Sequence, residues 1–215
     1  AKVRGLFLPE EGEQWSSIDF DQQEPRILVH FASLTNQGLT GAAEFVKAYC
    51  EDPTTDFHQM VADVAGIPRR QAKTINLGIM YGMGQTKMAT QLDISIDEAK
   101  RLMRQYHEDV PFVKELMDVS QRHTSHPLKG GSVRSLLGRK CRFDLWEPVQ
   151  FVSARAHPKE KAILEYGDNI KRAYTYRSLN RLIQASAADM TKAAMVAVLK
   201  EHDAVPLVQV HDELA

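Results

Sequence analysis

The chain has 215 residues, 43% of them hydrophobic and 26% charged, enough to bury a core in one domain or two. Its formal net charge of -1 excludes a uniformly basic nucleic-acid coat, so any nucleic-acid contact has to come from local basic clusters. Cys50 and Cys141 lie far apart without metal-ligand spacing and read as reduced thiols of an intracellular protein. Residues 1–15 lack the apolar core of a secretory signal, and no apolar run approaches the length of a membrane span. His211–Leu214 spells a retention signal, but such a signal is read only at the extreme C-terminus and Ala215 follows it. There is no initiator Met, and the chain stops just past an acidic pair, which points to a piece of something longer.

In chain order, residues 14–20 alternate and are rich in β-formers, which predicts a strand ending on Asp19. Residues 25–33 read as a helix, with Pro25 where a first turn tolerates it. Residues 54–66 read as a short helix stopped by Gly66, and a second starts near Pro68 and runs to Gly82. Ser95 with Glu98 forms a capping box that opens a helix over 95–122, interrupted at Pro111. Residues 130–145 read as a hairpin turning at Gly138, and 146–175 as a charged connection without a clear period. Residues 177–202 are the strongest helix, Ala-rich with a continuous apolar stripe, and 204–210 read as a buried strand leading into His211 and Asp212. Strands at both ends with helices between them give an α+β layout.

Within the helix that starts near Pro68, Arg69, Lys73, Leu77 and Tyr81 are four apart, so each drifts only ~40° around the axis from the one before. Arg69 and Lys73 therefore share a face near the positive end of the helix, an arrangement suited to a polyphosphate. A solvated basic face is the plainer reading of the same pattern. Gly78 and Gly82 weaken a helix, and suggest close approach by something flat or bulky. Asp19 and Asp212 each end a strand. Asp favours turns, which accounts for either one alone. If the two strands are neighbours, however, the pair forms the hard-oxygen ligand set that holds Mg²⁺ against substrate phosphates.

These residues also carry a resemblance. SIDFDQQEPRI (17–27), RRQAKTINLGIMYG (69–82) and QVHDEL (209–214) resemble motifs A, B and C of family A, DNA polymerase I-like, DNA polymerases, in the family's order. DFH (56–58) and LNRLIQASAAD (179–189) are similar to its intervening segments. The resemblance implies a polymerase palm, a small antiparallel sheet with packed helices, plus mostly helical fingers. It places a first palm part at 1–35, fingers at 36–145, a connection or insertion of uncertain structure at 146–175, and a second, truncated palm part at 176–215.

By the resemblance, Asp19, Asp212 and the backbone carbonyl of Phe20 are the ligands of two Mg²⁺ ions, and Arg69, Lys73 and His58 hold the incoming triphosphate. Tyr81 lies behind the nascent base pair, Leu77 stands against the nucleotide where the family usually has an aromatic ring, and Glu24 is the gate that excludes a ribose 2′-hydroxyl. Arg26, Asn180, Gln184, Gln209, His211 and Glu213 are expected along the primer-template. Arg134 and Arg139, on a hairpin that also carries Lys140 and Arg142, are assigned to backbone phosphate or equally to a solvated surface. Leu77, the short link from His58 to Arg69 and the insertion look like bacteriophage polymerases. Pro25 is a second departure, where the family has an apolar residue. The implied protein is a monomeric DNA-directed DNA polymerase of DNA replication, acting in the cytoplasm of a bacterium or a phage-infected host. Its partners are primer-template DNA, dNTPs and an accessory processivity factor, with no membrane. The competing readings are a single-subunit RNA polymerase relative, against which Glu24 argues, and a non-catalytic DNA-binding fragment.

Overall fold

The computed structural model describes residues 6–34, 38–127, 130–150, 154–202 and 204–215. The elements in order are β1 (Ile18–Asp19), α1 (Gln23–Ser33), α2 (Ala42–Glu51), α3 (Phe57–Ala65), α4 (Arg69–Met80), α5 (Gln85–Leu92), α6 (Ile96–Asp109) and α7 (Pro111–Ser125). There follow β2 (Ser132–Arg134), β3 (Lys140–Arg142), β4 (Leu145–Pro148), β5 (His157–Pro158), α8 (Lys159–Tyr166), β6 (Ile170–Arg172), α9 (Ser178–Glu201), β7 (Gln209–Val210) and β8 (Glu213–Leu214). Helices packed with small antiparallel sheets make this the α+β class that the sequence predicts.

Local chemistry sets most of the helix ends. The Asp56 carboxylate accepts from the amides of His58 and Gln59 at 2.9 and 3.1 Å and so starts α3, and Gly66 stops it in the left-handed region at φ 62°. Ser95 Oγ accepts from the Glu98 amide at 3.1 Å and starts α6. Pro111 opens α7, so the interruption expected there is a break between two helices.

The main core joins α1, α3, α4, α6, α7 and α9 through residues including Leu28, Phe57, Ile75, Tyr106, Phe112 and Ile183. Phe45 of α2 lies between Phe57 and Phe112, with ring centroids 5.3 and 5.1 Å away. Each such large apolar side chain stabilises the fold by ~1.5–3 kcal/mol on burial. One sheet has the order β1-β8-β7, so residues near the two ends of the chain pair directly, Ile18 with Leu214 and Asp19 with Glu213.

Several expectations need correction. Residues 145–172 form an antiparallel sheet, β5-β4-β6, with α8 packed on it; residues 151–153 lie outside the described residues. The strands are two to four residues long, too short for a periodic pattern to emerge. Helices α2 and α5 were given no element by the sequence reading. The strand expected over 204–210 shrinks to Gln209–Val210 at a sheet edge, and Val205 and Leu207 are about two-thirds exposed rather than buried. Helix α9 is buried along one side as far as Thr191, whereas Val196 and Leu199 are exposed, so its apolar stripe is only partly covered. Residues 175–201 are also long and apolar enough to meet a length-and-composition test for a membrane span, contrary to the sequence reading. Leu179, Leu182 and Ile183 nevertheless pack into the protein core, as in a core helix.

Candidate active site

The hairpin of β7 and β8 turns at His211 and Asp212, with His211 in the left-handed region at φ 57°. That conformation costs a non-glycine residue ~1–2 kcal/mol. The backbone amide of Phe20 donates to the Asp212 carbonyl at 3.4 Å, closing the end of the β1–β8 ladder. Asp19 and Asp212 thus sit on neighbouring strand ends and both line one cavity of about 770 Å³. The strand leading into Asp212 is not itself the neighbour of β1, as the carboxylate-pair reading supposed; β8 lies between them, and Asp212 reaches the Asp19 end of the sheet through the turn into β8.

Another part of the lining is one face of α4 along its length. Arg69, Lys73, Leu77 and Tyr81 all line the same cavity, as their four-residue spacing predicts. Arg69 is braced by Asp56, with Nη2 and Nε at 2.5 and 2.7 Å from Oδ2. Burial works to raise the Asp56 carboxyl, but Arg69 and the amides of Gln59 and His58 outweigh it and hold it below the usual range. His58, also on the wall, is almost fully buried, and its Nδ1 lies 2.9 Å from Asn76 Nδ2. Burial lowers the His58 pKa, and the charges of Lys73 and Arg69 lower it further against the opposing pull of Asp56. The imidazole is therefore neutral at neutral pH.

Glu24, in the first turn of α1, closes the wall beside Tyr81. Tyr81 Oη lies 2.8 and 2.9 Å from the two carboxylate oxygens of Glu24, and Gln184 Nε2 donates to Glu24 Oε1 at 2.5 Å. Burial raises the Tyr81 phenol to about 12, with the Glu24 hydrogen bond and charge adding to the effect. A second cavity, of about 860 Å³, lies on the other side of Leu77 and Tyr81 and is also lined by Asn180, Arg177 and Lys87.

The remaining expected residues divide. Phe20, Gln209 and His211 line the main cavity with Asp212. Glu213, one residue on, accepts from Ser17 Oγ at 2.5 Å and lines a separate small pocket with Phe7 and Trp15. Arg26 reaches the Asp21 carbonyl at 3.0 Å and lies 4.6 Å from the Tyr49 ring centroid, so its guanidinium serves a local cluster. Arg139 pairs with the nearly buried Asp189 at 2.8 Å and donates to the Ala185 carbonyl, which fastens the hairpin of β2 and β3 onto α9. Arg134 donates to the Gly138 carbonyl at 2.9 Å within that hairpin.

The glycines of α4 have an internal explanation. A Cβ on Gly78 would meet Met83 Cε at 2.8 Å, and Gly82 lies beyond the helix end at φ 72°. Neither demands a flat external partner. The sequence reading missed Asp56 and Asn76 as supports of Arg69 and His58. The helix-cap pattern at Asp56 was available as a signal, but the reach of Arg69 back to it was not.

Comparison with known proteins fits this geometry. The family model for DNA polymerase family A matches residues 1–215. A DNA-directed DNA polymerase of Pseudomonas phage M6 is 35% identical over 251 residues, covering 99% of this chain and 34% of that protein. The thermostable DNA polymerase I of Thermus aquaticus is 29% identical over 225 residues, covering 99% of this chain and 23% of that one. The POL domain of Pol1 from M. smegmatis, solved with DNA primer-template and dNTP, superposes with a TM-score of 0.66 at 28% identity. That match covers 94% of this chain and 34% of the other. The chain spans about a third or less of the length of these relatives. With a cavity that sets strand-end carboxylates against a basic helix, and a family match along its whole length, the chain belongs to DNA polymerase family A.

Proposed function

We propose that this chain supplies the palm and fingers of a template-directed DNA polymerase that adds dNTPs to a primer 3′-hydroxyl during DNA replication. The observation that carries the reading is the single cavity in which Asp19 and Asp212 face Arg69 and Lys73. The palm is residues 1–35 and 176–215, joined through the β1–β8 pairing, and the fingers are 36–145.

The donor set fits Mg²⁺. Among the described residues no group of three or more His, Cys, Asp or Glu is close enough to enclose an ion. Mg²⁺ does not require one, because it binds through one or two carboxylates and takes its other ligands from water and phosphate. Asp19, Asp212 and the Phe20 carbonyl would hold two such ions. They supply activation of the primer 3′-oxygen and neutralise charge on the triphosphate. Arg69 and Lys73 bind the triphosphate from the helix end, with Asp56 fixing the Arg69 guanidinium. His58, neutral and held by Asn76, presents a ring N–H to a phosphate oxygen without adding charge. Leu77 and Tyr81 form the surface behind the new base pair, and Glu24 stands where a 2′-hydroxyl would project. Asn180, Gln184, Gln209 and His211 face the primer-template.

The partners are primer-template DNA, dNTPs and an accessory processivity factor, and the protein acts as a monomer in a bacterial or phage-infected cytoplasm. Primer extension with dNTPs and then rNTPs tests the reading, with dNTPs preferred. Preference for rNTPs would favour a single-subunit RNA polymerase relative, and DNA binding without extension by a full-length chain would favour a non-catalytic role. The 215-residue segment alone is expected to extend primers weakly or not at all.

A further inference from the structure

Three elements meet on the cavity wall in one hydrogen-bond network. Glu24 comes from α1, Tyr81 from the end of α4 and Gln184 from the middle of α9. Gln184 Nε2 lies 2.5 Å from Glu24 Oε1 and 3.1 Å from Tyr81 Oη. A primary amide has two N–H donors, so one is available to each partner. The phenol has a single proton, so its approaches of 2.8 and 2.9 Å to the two Glu24 oxygens share one hydrogen. Tyr81 alone therefore leaves the carboxylate free to exchange its oxygens by rotation, and the amide of Gln184 removes that freedom. The raised Tyr81 pKa keeps its proton in place at neutral pH, as the network requires.

We propose that Gln184 is a positioning residue for Glu24, and that it sets from the α9 side how strongly the cavity rejects a nucleotide carrying a 2′-hydroxyl. The proposal rests on the reading of Glu24 as the sugar gate. It goes beyond that reading by giving a residue expected on the DNA a second role in sugar selection. On that reading, one side chain serves both sugar selection and the primer-template.

The test uses the full-length polymerase chain and measures kcat/KM for one dNTP and its rNTP on a matched primer-template. Gln184→Leu is expected to lower the dNTP-to-rNTP preference about tenfold, the scale of one hydrogen bond to a charged group. Gln184→Glu, which sets a second carboxylate beside Glu24, is expected to lower it further. In parallel, tyrosine is labelled at ¹³Cζ, and the Tyr81 signal is identified by its loss in Tyr81→Phe. That signal shifts in Gln184→Leu if the network exists, a change that loss of DNA contact alone does not produce. An unchanged sugar preference with weakened DNA binding overturns the proposal, as does an unmoved Tyr81 signal. Failure of the unaltered chain to extend primers with dNTPs refutes the polymerase reading instead, and the Tyr81 signal then decides the positioning claim by itself.

Discussion

In the sheet of β4, β5 and β6, charged side chains turn to neighbours a few strands away. Around the main cavity, residues from positions 19 to 212 set unlike charges across open space. Trp146 lies between Lys159 and Arg172, at 5.2 and 4.6 Å from its ring centroid, and His157 pairs with Glu165 at 2.9 Å. These contacts hold a small unit together. Asp19, Asp212, Arg69 and Lys73 line one cavity of about 770 Å³, room for a ligand of mixed charge. A basic residue in this protein therefore says little by its type. Arg139 and Arg69 are each held by a carboxylate, Asp189 and Asp56, and what differs is place: Arg69 also lines the main cavity.

The largest expected effect comes from Asp212→Asn, which keeps the size of the side chain and removes its charge. Loss of several kcal/mol of metal-borne stabilisation corresponds to roughly a 10³-fold fall in kcat for nucleotide addition. Single-turnover primer extension measures this, and a variant within tenfold of the unaltered chain would break the comparison. Arg69→Ala is expected to lower kcat/KM for dNTP by about 10- to 100-fold, since it removes charge-assisted hydrogen bonds to phosphate. Part of that loss should appear in Asp56→Asn, which leaves Arg69 charged but unbraced, and steady-state kinetics on the two variants separate binding from bracing.

Acid stability probes the same wall. The folded pKa of His58 lies below its ordinary 6.5, so the unfolded chain binds the proton more readily. Its contribution is therefore fully present above about pH 6.5 and is lost as pH falls below that value. His107 is shifted the same way by burial and adds to the trend. Denaturant melts between pH 7.5 and 5.5 are expected to show the slope, reduced in His58→Gln; an unchanged slope would remove His58 as a source. The smallest effect on chemistry is expected from Trp146→Ala. It should cost about 3–5 kcal/mol of local stability, as large-to-small core changes do, while kcat/KM stays within about twofold. Calorimetry and extension assays on the same preparation would show whether the β4–β6 unit is as separate from the cavity as its internal pairing implies.

The helices around the site were legible where local chemistry writes them. Gly66, Ser95 and Pro111 mark ends that backbone hydrogen bonding and fixed φ impose regardless of context. The one-face arrangement of Arg69, Lys73, Leu77 and Tyr81 follows from helical geometry alone. The β4–β6 sheet was not legible, because its strands are too short to show alternation and its stability comes from Trp146 and its partners across the sheet.

By itself, then, the sequence determined several helix ends, the shared face of α4 and, through ordered motifs, the family; helices α2, α5 and α8 it did not show. Only the tertiary structure decided that Asp212 leads into the strand beside the one that Asp19 ends, that Arg139 is held by Asp189, and that Gln184 reaches Glu24. Each of these joins residues 50 (189 − 139) to 193 (212 − 19) positions apart. Local propensity and periodicity act over a few residues, whereas such contacts depend on how whole elements pack.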